Sequence, residues 1–386
     1  MGSASIPDPV DLAVALIRSP SVTPADAGAM ATLAGALSGI GFELRPMASG
    51  GIENLYARFG SARPNLCFAG HTDVVPPGDE GAWTSPPFEP SIFGGVLRGR
   101  GAADMKSAIA AFVAAAGRAI AAGAVKGSLS AMITGDEEGE ALHGTRFMVE
   151  TLRAQGEGID HCVVGEPTSR ERLGDMIKIG RRGSLNATIT VEGVQGHVAY
   201  PDRAANPAPV LVRLLNALIS RRLDEGYEAF QPSNLEITSI DIGNPASNVI
   251  PARAGARVNI RFNPSHRGAD LAAWIEAEAA RAGEGFAGAV RAGCAISGEA
   301  FLTPEGPFTA LVAAVVKDET GVTPELSTTG GTSDARFIRF LCPVVEFGLV
   351  GASMHQVDEQ VAVADIERLT GVYERLIARY FEVFSG

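Results

Sequence analysis

Two histidines and five acidic residues stand where apolar, strand-like runs give way to loops. They are His71 and Asp73 in AGHTDVVP, Asp104 in GRGAADMK, Glu137 and Glu138 in TGDEEGE, Glu166 in VVGEPT, and His355 in ASMHQVDE. Most are followed within a few residues by Gly or Pro. Loops carried by a rigid sheet are where catalytic groups concentrate. Imidazole nitrogens and carboxylate oxygens together can hold two divalent cations and leave positions open for water, which is the equipment of a metallohydrolase. His71 and Asp73 lie two apart, so both can face one side of a strand end. The Asp73 carboxylate is expected to hold the His71 ring by a hydrogen bond and so fix its tautomer.

Taken singly, each residue has a plainer role. His71 and His355 could be loop histidines, and Asp104 could be a helix N-cap. Glu137 and Glu138 could be a solvated charge pair, and Glu166 a turn residue. Their joint occurrence at strand mouths is what points to a site. His143, His161 and His266 read as structural.

The elements that must position these groups follow from pattern. Asp8-Pro9 before VDLAVALIRS reads as a capped helix with Pro at its first position. A second helix covers AGAMATLAGALSGIG. Strands follow in NLYARFG, NLCFAGHTDVV, SLSAMITGDEE and HCVVGEP, with helices SAIAAFVAAAGRAIAAG and HGTRFMVETLRAQG between them. Alternating strand and helix imply an α/β layer with a mixed, mainly parallel sheet between helices.

Near Gly183 the style changes. SLNATITVEG alternates apolar and polar residues, as a half-exposed strand does. Helix PAPVLVRLLNALISRRL, strands NLEITSIDIG and ARVNIRFNP, and helix ADLAAWIEAEAARAG complete the order β-α-β-β-α of a small α+β sandwich. From about Phe301 the buried-sheet style returns, with helix FTALVAAVVKDETG, strand PVVEFGLVG and a last helix from about Asp365 to Phe384. The expected organisation is a split catalytic domain, residues 1–182 and 298–386, with a second domain inserted at 183–297.

At 386 residues the chain is long enough for two domains. A net charge of -12 and no Lys/Arg-rich block argue against nucleic acid or an anionic membrane as partner. An anionic substrate would therefore have to be met by local arginines. The four cysteines form no CxxC pair, which fits reduced thiols in a cytosolic protein. MGSASIPDPVDLA lacks the basic and apolar regions of a signal peptide. The longest apolar stretch, about Ala108 to Ala116, is well short of the roughly 20 residues of a membrane span.

HTDVVPPGD, WTSPPFEP, GRGAADMKS, GDEEGEALHGT, VVGEPT, GRRGSLNATITVEGVQGHVAYP, SNVIP and TTGGTSDARFI closely resemble, in order, the dizinc deacylase and carboxypeptidase family of metallopeptidases. The resemblance implies two Zn2+ per subunit, with Co2+ able to substitute. His71 and Glu166 would bind one ion, Glu138 and His355 the other, and Asp104 would bridge them. The Asp104-Met105 peptide would be cis. Glu137 would be the general acid and base, and Asp73 would count among the catalytic residues. His197 would stabilise the oxyanion from the partner subunit of a homodimer built through the inserted domain. Arg181, Ser184, Tyr200, Asn248, Arg261, Gly331 and Thr332 would hold the substrate.

The implied activity is hydrolysis of the amide in N-succinyl-LL-2,6-diaminopimelate, in the cytoplasm. Deacylation of N-acetylornithine is the alternative. Two departures touch no ligand: Leu97-Arg98 stands where an aromatic is common before the GRG, and Ala335 stands where Gly is common.

Overall fold

Asp8 caps the first helix, Pro9–Ile17, by accepting from the backbone N–H groups of Val10 and Asp11. In this computed structural model residues 6–385 are described, so Met1 to Ser5 of the segment read for a signal sequence lie outside them. The chain divides into two units. One runs to Ile179 and resumes over Thr303–Ser327 and from Ser333 onward; the other comprises Gly180–Leu302 and Thr328–Thr332. The second unit thus extends past 183–297 at both ends. It also takes in Gly331 and Thr332.

The first unit is built on an eight-stranded sheet. Its order is Glu43–Pro46, Leu55–Phe59, Ser128–Thr134, Asn65–His71, His161–Val164, Val344–Glu346, Met176–Lys178 and Glu325–Ser327. Ser128–Thr134, Asn65–His71, His161–Val164 and Val344–Glu346 are mutually parallel at the centre. Antiparallel pairs flank them. Asn65–His71 and Ser128–Thr134 are buried along their whole length, as a sheet covered by helices requires.

Helix Ser107–Ala121 makes the crossover between those two strands. Its alanines let it lie close against helices Pro9–Ile17 and Val363–Phe384. Phe68 stacks on Phe112 at 4.3 Å and meets Tyr373 edge-on at 5.5 Å, which ties strand and both helices into one core. A small sheet of Ser91–Phe93, Val96–Arg98 and Gln360–Ala362 was not foreseen, because each strand has only three residues.

The second unit carries a four-stranded antiparallel sheet in the order Asn234–Asp241, Arg253–Phe262, Gly183–Glu192, Ala289–Gly298. Helices Pro207–Ser220 and Gly268–Ala282 pack on it through Leu211, Leu214, Leu218, Leu271 and Ile275, against Leu185, Ile189, Val258 and Ile260. The strand Ala289–Gly298 is absent from the β-α-β-β-α reading. AVRAGCAISG is too rich in Ala and Gly to carry a strand signal, and pairing along Gly183–Glu192 decides it. Asp224 anchors a loop here, accepting from Gly226, Ser233 and Asn263, with His266 at 3.0 Å. No helix among the described residues is long and apolar enough to cross a membrane.

Candidate metal centre and substrate residues

Parallel neighbours end on the same edge of a sheet. His71 closes Asn65–His71, Glu137 and Glu138 follow Ser128–Thr134, and Glu166 follows His161–Val164. These three strands are adjacent, so their mouths open side by side, where open α/β sheets bind ligands. Asp104 comes from the turn before helix Ser107–Ala121. Gly101 enters that turn at φ 85°, and the Asp104-Met105 peptide is cis. His355 arrives on the loop after Val344–Glu346.

The buried His71 ring has Nε2 3.1 Å from Asp104 Oδ1 and 3.9 Å from Glu166 Oε1. His355 Nε2 lies 2.9 Å from Glu138 Oε1 and 3.3 Å from Asp104 Oδ2. Each histidine thus has its own glutamate, and the two oxygens of Asp104 reach one histidine each. His71, Asp104 and Glu138 present ligand atoms within 4.8 Å of one another, and so do His71, Glu137 and Glu166.

One expectation is corrected. The Asp73 carboxylate does not hold the His71 ring: its nearer oxygen is 3.7 Å away, and the ring Nδ1 is instead 2.9 Å from the backbone carbonyl of Asp73. The carboxylate accepts from the backbone N–H groups of Glu137, at 3.2 Å, and Glu138, at 3.0 Å. Both side chains of this adjacent pair reach the site because Asp73 fastens their amides just past the strand end.

The donor set fits divalent cations. With its Nδ1–H directed at a carbonyl, neutral His71 turns a lone pair toward carboxylate oxygens, acceptor against acceptors. Without a cation that arrangement demands an extra proton. Burial opposes protonation of His71, yet the Asp104 hydrogen bond and the Glu166 charge push its proton affinity well above the imidazole range. Hydrogen bonds to Asp104 and Glu138 push His355 up to about 10. Burial raises Glu137 well above ordinary carboxylates, and the charges of Glu166 and Asp334 add to it. Burial also raises Asp73 to about 6 against the pull of His71 and the two amides. A surplus of buried anion is what two cations neutralise.

Asp334 was not singled out, although it lies within the TTGGTSDARFI motif. It is buried; one oxygen accepts from Thr145 Oγ1 at 2.6 Å and the other has no hydrogen-bond partner. Only the fold brings its charge to bear on Glu137.

His197 and all seven candidate substrate residues belong to the second unit. His197 pairs with Val249 across a two-residue ribbon, and its exposed ring lies 5.7 Å from that of Tyr200. Asn248 joins them through its carbonyl, which accepts from Val198 N at 3.2 Å. Ser184 and Arg261 are register partners on adjacent strands, linked through Asn259. Arg181 Nη1 donates to Thr329 O at 3.3 Å. Gly330, at φ 105°, leaves room for it, since a Cβ there would lie 2.5 Å from Nη1. Thr332 and Gly331 follow in the same segment. His143, His161 and His266 serve structure: they meet Ser49, Tyr380 and Asp224 respectively.

Comparison with known proteins agrees with this architecture. The chain is 68% identical over 378 residues to a succinyl-diaminopimelate desuccinylase of Caulobacter vibrioides (strain NA1000 / CB15N), covering 98% of this chain and 97% of that relative. It is 58% identical over 384 residues to the protein of that name from Maricaulis maris (strain MCS10), covering 100% and 98%. Among solved structures, an M20 family metallo-carboxypeptidase, Sso-CP2 from Sulfolobus solfataricus, shares the fold with a TM-score of 0.81 at 15% identity, covering 97% of this chain and 99% of that one. A dinuclear metal-binding M20 peptidase from Bacillus subtilis has a TM-score of 0.73 at 13% identity, covering 97% and 98%. Residues 67–379 match the description Peptidase family M20/M25/M40, so with these near full-length relatives the chain belongs to that family.

Proposed function

We propose that this chain hydrolyses N-succinyl-LL-2,6-diaminopimelate to succinate and LL-2,6-diaminopimelate, within diaminopimelate and lysine biosynthesis. The observation that carries this reading is 58–68% identity over nearly the full length to relatives named succinyl-diaminopimelate desuccinylase, in a chain whose His71, Asp104, Glu137, Glu138 and Glu166 bring possible ligand atoms together. We assign His71 and Glu166 to one zinc ion and Glu138 and His355 to the other, with Asp104 between them and cobalt able to substitute. Two such cations would polarise the scissile carbonyl and acidify a water.

The chain's own residues do the rest. Glu137 takes a proton from the attacking water as its oxygen bonds the carbonyl carbon. It then delivers that proton to the departing nitrogen as the C–N bond breaks. Its raised proton affinity suits both transfers. Asp73 holds the amides of Glu137 and Glu138 and so sets where both carboxylates point. His197, from the partner subunit of a cytoplasmic homodimer, donates to the oxyanion. Arg181 and Arg261 meet carboxylates, whose two oxygens match the planar guanidinium. Ser184, Tyr200, Asn248, Gly331 and Thr332 complete the substrate contacts.

The test is succinate release from N-succinyl-LL-diaminopimelate beside deacylation of N-acetyl-diaminopimelate and N-acetylornithine. An Arg built to pair a carboxylate is left desolvated when an analogue lacks it. The succinyl substrate should win by at least two orders of magnitude in kcat/KM, roughly 3 kcal/mol. Comparable rates would overturn this reading in favour of a general deacylase.

A further inference from the structure

Glu359 lies four residues beyond His355 and is fully buried. Its carboxylate is saturated by one short segment of chain. Oε1 accepts from the backbone N–H groups of Ala103 at 2.8 Å and Asp104 at 3.0 Å. Oε2 accepts from Gly101 N at 3.0 Å and from Arg100 Nη1 at 2.7 Å. The backbone joins in: Gly99 N donates to Glu359 O at 2.9 Å, and Arg100 Nη1 to Gln356 O at 3.2 Å. Arg100 is itself buried, with its guanidinium 5.2 Å from the Trp83 ring centre. One residue earlier, Asp358 sits at φ 60° and accepts from Thr84 N at 2.8 Å. The loop of His355 and the turn of Asp104 are thus bolted together at two places. One is the contact of His355 Nε2 with Asp104 Oδ2; the other is Glu359 behind it.

We propose that Glu359, locked by Arg100, is a positioning residue for the metal site shared by Asp104, Glu138 and His355. This rests on the two-metal reading above. The physical reason is the chemistry of the turn. Three N–H groups of a tight turn, at Gly101, Ala103 and Asp104, have no helix carbonyl to bond, so a buried acceptor must orient them. The acceptor supplied comes from the segment that carries His355. Any error in Glu359 therefore displaces Asp104 and His355 relative to each other. His71 and Glu166, on strand ends of the central sheet, are held independently.

The experiment is a chelator back-titration of the cobalt-loaded enzyme, read by visible absorption, with thermal unfolding in parallel. Glu359→Gln keeps the volume but offers an amide N–H to donors. It should weaken one of the two cobalt equivalents by about 10- to 100-fold and the other, which shares Asp104 but keeps His71 and Glu166, by at least about tenfold less. Glu359→Asp keeps the charge with a shorter reach and should fall between; it carries the same readout if Glu359→Gln does not fold. Tyr373→Phe, which removes a buried 2.7 Å hydrogen bond to Phe347 O, is the structural control. It should lower the Tm with both equivalents unmoved. If both Glu359 variants lower the Tm but release two unaltered equivalents, or weaken both alike, the positioning role is overturned. If the unsubstituted enzyme itself holds fewer than two equivalents, the two-metal reading fails first.

Discussion

Glu137 and Glu138 are neighbours in sequence, yet their surroundings differ, and the roles proposed for them differ accordingly. Glu138 Oε1 is 2.9 Å from His355 Nε2, whereas the half-buried Glu137 feels the charges of Glu166 and Asp334. Glu137→Gln should therefore keep the full metal content while kcat falls by about 100- to 10,000-fold, because the amide accepts no proton from water. Glu138→Gln should instead lose metal. Elemental analysis and turnover on the same preparations check both, and kcat within tenfold of the parent for Glu137→Gln would remove it from the base role. Arg181 belongs to the same scale. If it reads the succinyl arm, Arg181→Ala should shrink the preference for succinyl over acetyl substrate by at least about tenfold. An unchanged ratio would assign Arg181 to the diaminopimelate end.

At the scale of elements, the site exists because parallel strands deliver their ends to one edge. The loop around Asp224 shows the same economy in the second unit. Burial would raise the Asp224 carboxyl, but hydrogen bonds from Ser233, Gly226 and Asn263 hold it down at about 2. A carboxyl whose folded-state pKa is depressed stabilises the fold above its unfolded value, about 3.9, and that contribution is lost as pH falls toward 2. Asp224→Asn should cost about 1–3 kcal/mol at neutral pH by leaving donors facing an amide. The gap between parent and variant in urea unfolding should close between pH 4 and pH 2. A gap constant across that range would mean that the charge contributes nothing.

For the whole molecule, the proposed homodimer with His197 acting across its subunits is open to a direct test. His197→Ala and Glu137→Gln proteins should each be nearly inactive alone. After subunit exchange, a heterodimer pairs an intact metal centre from one chain with an intact His197 from the other, so activity should return. Mixing two tagged inactive forms and assaying the purified heterodimer checks this. No recovery in a proven heterodimer would place His197 in its own subunit's reaction or outside the reaction altogether.

Much of this protein was legible in its sequence, because hydrophobic period and strand-end punctuation are local. The α/β alternation, the long apolar strands and the clustering of His71, Asp104, Glu137, Glu138, Glu166 and His355 near strand mouths all show in short windows. The strand Ala289–Gly298 did not, since its residues have weak preferences and pairing fixed it. Nor did the true partner of Asp73, which depends on how the chain bends after Thr134. Asp334 and Glu359 stood within the quoted motifs without a role. Their significance lies in contacts with residues far away in sequence, Thr145 for one and the Gly101 to Asp104 turn for the other. Residue types and local spacing declare which groups can do chemistry. Which backbone amides orient them is decided by packing between distant segments, and only the tertiary structure contains that information.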